Sequence, residues 1–295
     1  MHAFFTELTP RVGTGTPPHQ GWRTIGQVPL VILVGVTGVG KSTSLQALRD
    51  QGLSFHLLPD RRVLTDELII AFLQRQAGAT PCAVADRAER FALTRRYREQ
   101  FPGGMSHALS QLYIQQDMQH GTQVGKEKEQ QWWIFDGLRG ANEVAAAATA
   151  LPKAHFVVLD APDLIRVQRL LGRSDAFDRI AIQNSPQQPD AKAHSLSAIG
   201  IPEAEPLFTA SEVHTLLALC AAPIGGGDLP VDELRAKLKI VVEERRSYDP
   251  AATIQTLQDV APTRTLIIDT TTVSAVAAAQ QIIHWLPQQS RMNEA

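Results

Sequence analysis

Apolar residues in this chain fall into short dense runs, separated by stretches with helical spacing. The densest run is Leu30, Val31, Ile32, Leu33 and Val34, set between Pro29 and Gly35. β-Branched residues without alternation predict a strand buried on both faces, as in a parallel sheet. Four further runs predict strands: SFHLLP at 54–59, QWWIFD at 131–136, HFVVLDA at 155–161 and TRTLIID at 263–269. Between them lie helical patterns over about 41–50, about 65–119 with breaks near Gly78 and at Pro102, the alanine-rich 141–150, about 163–173, and a last one ending near Trp285. Strands alternating with helices predict an α/β fold of three layers around a five-stranded parallel sheet. Ligands of such sheets collect at the carboxyl ends of the strands.

Some of the chain falls outside this alternation. Residues 1–27 carry Thr, Pro and Gly without periodicity and predict a loosely packed lead-in to a single domain over 28–295. Between the fourth and fifth strands, SPQQPDAKAHSLSAIGIPEAEP at 185–206 has four prolines and few large apolar residues, so a lid, a binding loop or a disordered segment is expected within an insertion over 174–230. APIGGGDLP at 222–230 reads as a second flexible stretch. VDELRAKLKIVVEERRSYD at 231–249 reads as helical, although KIVVEE fits a strand equally well. There is no internal repeat.

The loop after the first strand carries the chemistry. Gly35, Val36, Thr37, Gly38, Val39, Gly40, Lys41 and Ser42 fit G-x-x-x-x-G-K-[ST] at every position, with Thr43 next in the helix. The glycines let successive N–H groups converge on a phosphate, and the helix adds the positive end of its dipole. Lys41 is placed to reach β- and γ-phosphates, and the Ser42 hydroxyl to ligate Mg²⁺. This predicts a nucleoside triphosphate as ligand without saying where its phosphate goes. The other strands run out at Asp60, Asp136, Asp160 and Asp269, and a cap or turn role suits the last two best.

Asp136 ends an apolar strand in WWIFDGLRGANEV, where a carboxylate beside such a loop orders Mg²⁺. Arg139 is placed to face the phosphates, or to pair with Glu143 one helical turn on. With these residues the chain resembles the P-loop kinases of nucleotides and other small molecules, in particular the adenylate-kinase-like and dephospho-CoA-kinase-like group. The resemblance is carried by residues 29–50, by Asp136-Gly137-Leu138-Arg139 with Glu143, by VVLDAPDLIRVQRLLGR, and by TLIIDTTTVSAVAAAQQIIHWL near the end. It implies the P-loop NTPase fold, ATP and Mg²⁺ as cofactors, a helical acceptor region over 65–122, and lid arginines that close over the triphosphate.

Arginines are the remaining candidates. Arg166, Arg169 and Arg173 share a helix face at i, i+3 and i+7, and Arg179 follows in the lid. Guanidinium groups there suit a phosphoryl group in transfer, with a solvated basic face as the plain alternative. Arg139, Arg173 and Arg179 are the catalytic candidates, together with Lys41 and Asp136. Asp60 is open as a base, a metal ligand or a turn residue. Arg61 and Arg62 lie at the acceptor side, and Arg87, Arg90, Arg95, Arg96 and Arg98 crowd one helix. A phosphorylated small acceptor, a polynucleotide end or a protein partner would each explain that crowding.

A net charge of −2 makes nucleic acid an unfavoured partner. Cys82 and Cys220 fit no metal or redox spacing, and no apolar segment reaches the ~18 residues of a membrane span. A cytoplasmic protein is the expectation. The expected activity is a magnesium-dependent kinase of a small, phosphorylated acceptor. A regulatory NTPase that switches a protein partner and a kinase of nucleic-acid ends are the rivals.

Overall fold

The computed structural model describes residues 5–115, 131–171, 195–221 and 230–287. Along the chain run β1 (Thr6–Thr9), β2 (Val12–Thr14), β3 (Trp22–Thr24), β4 (Leu30–Val34), α1 (Lys41–Asp50) and β5 (Phe55–Leu57). One long helix follows in three pieces: α2 (Arg61–Leu64), a π-helical stretch (Thr65–Ile70) and α3 (Ala71–Gln76). Then come α4 (Arg87–Gln100), α5 (Met105–Ser110), β6 (Leu112–Gln115), β7 (Trp132–Leu138), α6 (Ala141–Ala150), β8 (Ala154–Asp160) and α7 (Asp163–Leu171). The remainder comprises α8 (Ala210–Ala221), α9 (Val231–Ser247), α10 (Pro250–Val260), β9 (Thr265–Asp269) and α11 (Ala275–Trp285).

The five expected parallel strands form one sheet in the order β5-β7-β4-β8-β9. β4 is its centre and is buried at every position. Its alternate residues serve two cores, as a two-residue period requires. Val31 and Leu33 pack with Leu45 and Leu48 of α1 and with Ala279 and Ile282 of α11. Leu30, Ile32 and Val34 face Met105 and Leu109 of α5, Val144 and Ala147 of α6, and Leu257 of α10. The result is the three-layer α/β fold, with the chain crossing over β4 between β7 and β8. That crossing opens a crevice at the carboxyl end of β4, where the glycine-rich loop begins.

Three local expectations are corrected. The lead-in is not loose: β1, β2 and β3 join β6 in an antiparallel sheet ordered β1-β2-β6-β3. Val12, Ile25, Leu112 and Ile114 are fully buried and belong to the same core as β4. The helical reading of 65–119 therefore breaks at β6, whose alternating burial is that of a strand with one wet face. KIVVEE lies inside α9, in line with the helical reading of 231–249, so its three β-branched residues are helical. The insertion is more firmly held than its prolines suggest. Leu196, Ile199, Ile201 and Ala204 are buried in a third core with Val167 and Leu170 of α7 and with Leu234, Leu238 and Val241 of α9. Residues 116–122, 174–194 and 222–229 of the expected acceptor, lid and flexible segments lie outside the described residues. No described helix is long and apolar enough to cross a membrane.

The small sheet provides a test of this packing. Ile114→Ala should cost about 2–5 kcal/mol, as for other buried large-to-small changes. The urea midpoint measures it, and a change below about 0.5 kcal/mol would mean that the N-terminal strands ride loosely on the domain.

Candidate nucleotide site

The loop between β4 and α1 has the backbone its glycines predict. Gly35 and Gly38 have φ values of 146° and 88°, a region that favours glycine. A Cβ at Gly35 would lie 2.6 Å from the carbonyl oxygen of Leu159, and one at Gly38 would lie 3.0 Å from that of Arg166. The loop is thus pressed against β8 and α7. α1 starts at Lys41 with no side-chain cap, which leaves the amides of its first turn open to an anion. Ser42 and Thr43 are exposed there.

Lys41 folds back over the loop. Its Nζ donates to the carbonyls of Gly35 and Val36, at 2.9 and 3.1 Å. The same nitrogen lies 3.7 Å from Oδ1 of Asp136. Burial, opposed by the Asp136 carboxylate, pushes the ammonium down to about 8. Asp136 reaches this point because β7 slips register against β4: Leu33 pairs with Asp136, but Val34 pairs with Leu138. Such irregularities re-aim side chains at strand ends. Asp136 Oδ1 is buried and accepts no hydrogen bond. An acceptor left short beside the loop fits a hydrated cation.

A second set of charges closes around Thr37. Glu244 of α9, with 8% of its side chain exposed, accepts from the Thr37 amide at 3.1 Å to each oxygen and from the Thr37 hydroxyl at 2.6 Å. Arg139 Nη1 donates to Glu244 Oε1 at 2.7 Å, and Arg166 Nη2 donates to Glu244 Oε2. Arg166, 1% exposed, also donates Nε to the Thr37 carbonyl at 2.8 Å and Nη1 to Asp163 at 2.5 Å. Asp163 accepts in turn from Arg245 Nε at 2.6 Å.

On the other side of α1's first turn lies a cavity of about 400 Å³, lined by Gly40, Thr43, Arg169, Thr270, Ser274 and residues of α11. Arg169 Nη1 donates to Gly38 O at 3.3 Å and to Thr270 Oγ1 at 2.8 Å, which fixes it at the rim.

The sequence candidates divide accordingly. Residues 35–43, Asp136 and Arg139 come together at the loop. Arg139 has Glu244 as its side-chain partner, and meets Glu143 through its backbone N–H at 3.3 Å. The side-chain partner of Glu143 is Arg61, which donates Nη2 to Oε1 at 2.6 Å, and Nη1 to Oε2 at 2.8 Å and to Gly137 O at 2.5 Å. Burial works against the Arg61 charge, yet Glu143 and Tyr248 hold its pKa above the ordinary value. The acceptor role expected of Arg61 gives way to a structural one, because both terminal nitrogens are engaged with Glu143, Gly137 and Tyr248. Arg90 is likewise anchored to Asp66 and to the Val84 carbonyl at 3.1 Å. Asp60 caps α2, its side chain accepting from Val63 N at 2.8 Å, which fits the turn role among its three. Arg62, Arg95, Arg96 and Arg98 are exposed, and Arg87 opens α4. Arg166 is buried rather than on a solvated face. Arg173 and Arg179 lie outside the described residues. Among the described residues no cluster of His, Cys, Asp and Glu is arranged to hold a metal.

Sequence reading did not single out Glu244, Thr270, Ser274 or Tyr248. None sits in a spaced motif, and only the fold brings them to the loop.

No protein-family model matches the chain, and no curated protein matches it. Among solved structures, a shikimate kinase from Acinetobacter baumannii in complex with shikimate is 17% identical over 88% of this chain and 93% of its own, with a TM-score of 0.30. TT1252 from Thermus thermophilus is 16% identical over 74% of this chain and 97% of its own, again at 0.30. An unliganded sugar kinase from Janibacter sp. HTCC2649 is 16% identical over 81% and 99%, at 0.25. At such scores the overlays carry no argument. The strand order and the loop backbone define the fold by themselves.

The charged network makes a prediction of its own. Arg166→Met would leave Glu244 and Asp163 each short of a buried partner, at a cost of about 3–5 kcal/mol. Chemical denaturation measures it, and a loss under about 1 kcal/mol would mean that the loop is held by packing alone.

Proposed function

We propose that the protein is an ATP- and Mg²⁺-dependent phosphotransferase that acts on a small, phosphorylated acceptor. One observation carries the reading: Lys41 lies beside a buried Asp136 oxygen without a hydrogen-bond partner, under a complete phosphate-binding loop. The amides from Gly38 to Thr43 would hold the β-phosphate, and Lys41 would span to the γ-phosphate. Ser42 and Asp136 would hold magnesium, which when bound neutralises charge on the phosphate oxygens. The cavity at Arg169, Thr270 and Ser274 offers space for the base and ribose. Arg139, across the loop from Lys41, would steady the group in flight.

Transfer breaks the bond between the γ-phosphorus and the β–γ bridging oxygen and forms one to an acceptor oxygen, which gives up its proton. Little covalent work falls to the protein, so position and charge supply most of the rate. Arg62 and the exposed arginines of α4 form the acceptor side in this proposal. They are the groups on that side whose exposure suits a phosphorylated molecule. The experiment that tests the reading is a screen of nucleotides and small phosphorylated metabolites for acceptor-dependent ADP release. Hydrolysis that no acceptor accelerates would favour a switching NTPase instead, and stimulation by polynucleotide ends alone would favour an end kinase.

Lys41→Ala should abolish turnover in a folded protein, and Asp136→Asn should weaken the magnesium dependence while nucleotide still binds. Initial rates across a magnesium titration check both. The pH profile has a definite sign. Free protein loses the Lys41 proton as pH rises through about 8, whereas bound polyphosphate holds that proton in place. Nucleotide binding above pH 8 then takes up a proton and weakens by up to about tenfold per pH unit. Calorimetry in buffers of different ionisation enthalpy measures the uptake, and affinity that is flat from pH 7 to pH 9.5 would contradict it.

A further inference from the structure

Glu244 is a carboxylate set where a phosphate-binding loop offers its donors. Its partners are a backbone N–H and a hydroxyl from Thr37 and two guanidiniums, Arg139 and Arg166. That donor set suits a phosphoryl group at least as well as a carboxylate, because more oxygens and more negative charge meet the same cations. Lys41, which reaches terminal phosphates, is close enough for the Glu244 charge to act on it. We propose that the Glu244 carboxylate occupies the seat of the nucleotide's terminal phosphoryl group, so that a triphosphate binds by displacing it and a diphosphate leaves it in place. The proposal rests on the phosphotransferase reading above and adds a residue that sets the preference between tri- and diphosphate.

The surroundings make the displacement feasible. Arg166 retains Asp163 and the Thr37 carbonyl when Glu244 leaves. Arg245, the next residue of α9, holds Asp163 at 2.6 Å and keeps the helix on the domain. Only the Glu244 side chain has to swing away. Arg139 and the Thr37 amide then lie free for the incoming oxygens.

The test uses the full chain with magnesium, titrated by calorimetry with ADP and with a non-hydrolysable ATP analogue. Glu244→Gln removes the charge at nearly constant size. It should tighten the analogue by roughly ten- to a hundredfold and change ADP by less than about threefold. Glu244→Asp, with the charge drawn back by one methylene, should fall between the two and serves alone if the Gln variant does not fold. An unchanged ratio of analogue to ADP affinity, in variants that bind ADP, would overturn the proposal and leave the phosphotransferase reading standing. Failure of folded wild-type protein to bind ADP would overturn both.

Discussion

A guanidinium cut off from water must find acceptors at each of its nitrogens, or its lost hydration goes uncompensated. Arg166 meets that demand with groups from three segments: the Thr37 carbonyl in the loop, Asp163 on its own helix and Glu244 on α9. Each partner is thereby fixed as well. The loop cannot drift from α7, and α9 cannot slide along the domain, without stranding a buried charge. Breaking such a cluster costs more than its net contribution to stability, so its main effect is to specify one arrangement.

The candidate nucleotide site inherits this rigidity on one side and lacks it on the other. Gly35 and Gly38 lie tight against β8 and α7, whereas the first turn of α1 shows its amides, Ser42 and Thr43 to solvent. Lys41 and Asp136 sit between the two. An ordered back wall with an open front is what electrostatic preorganisation needs, since donors already in place cost nothing to reorient when charge arrives. Arg61, Glu143 and Tyr248 extend the ordered wall toward α2 and couple it to the start of α10.

Much of this was legible in the sequence, for physical reasons that differ by element. β4, β7 and β8 are buried on both faces, so they appear as unbroken apolar runs, and the loop motif identifies itself because each position has a geometric duty. Asp136 could be read because its place follows from the strand that carries it. β6 could not: four residues with one wet face look like the continuation of a helix until their partners are known. The arginines were the least legible group. Arg61, Arg90 and Arg166 stand where ligand-binding residues would, but burial and the carboxylates of Glu143, Asp66 and Glu244 engage them within the fold. Glu244 is separated from Thr37 by most of the domain, and local pattern has no means of pairing them.

The small antiparallel sheet has a consequence for how the chain comes to be folded. β6 lies between β2 and β3: Val12 pairs with Ile114 on one side, and Thr24 pairs with Tyr113 on the other. β1 and β2 can pair with each other at once, but the second edge of β2 and the whole of β3 wait for a partner that emerges only after β4, β5 and the helices up to α5. Contacts so distant in sequence form slowly, and strands kept waiting expose unpaired edges to any neighbouring chain. β6 acts as a clasp that can close only once the chain has been made beyond α5, and until then β3 and one edge of β2 lack their ladder partners.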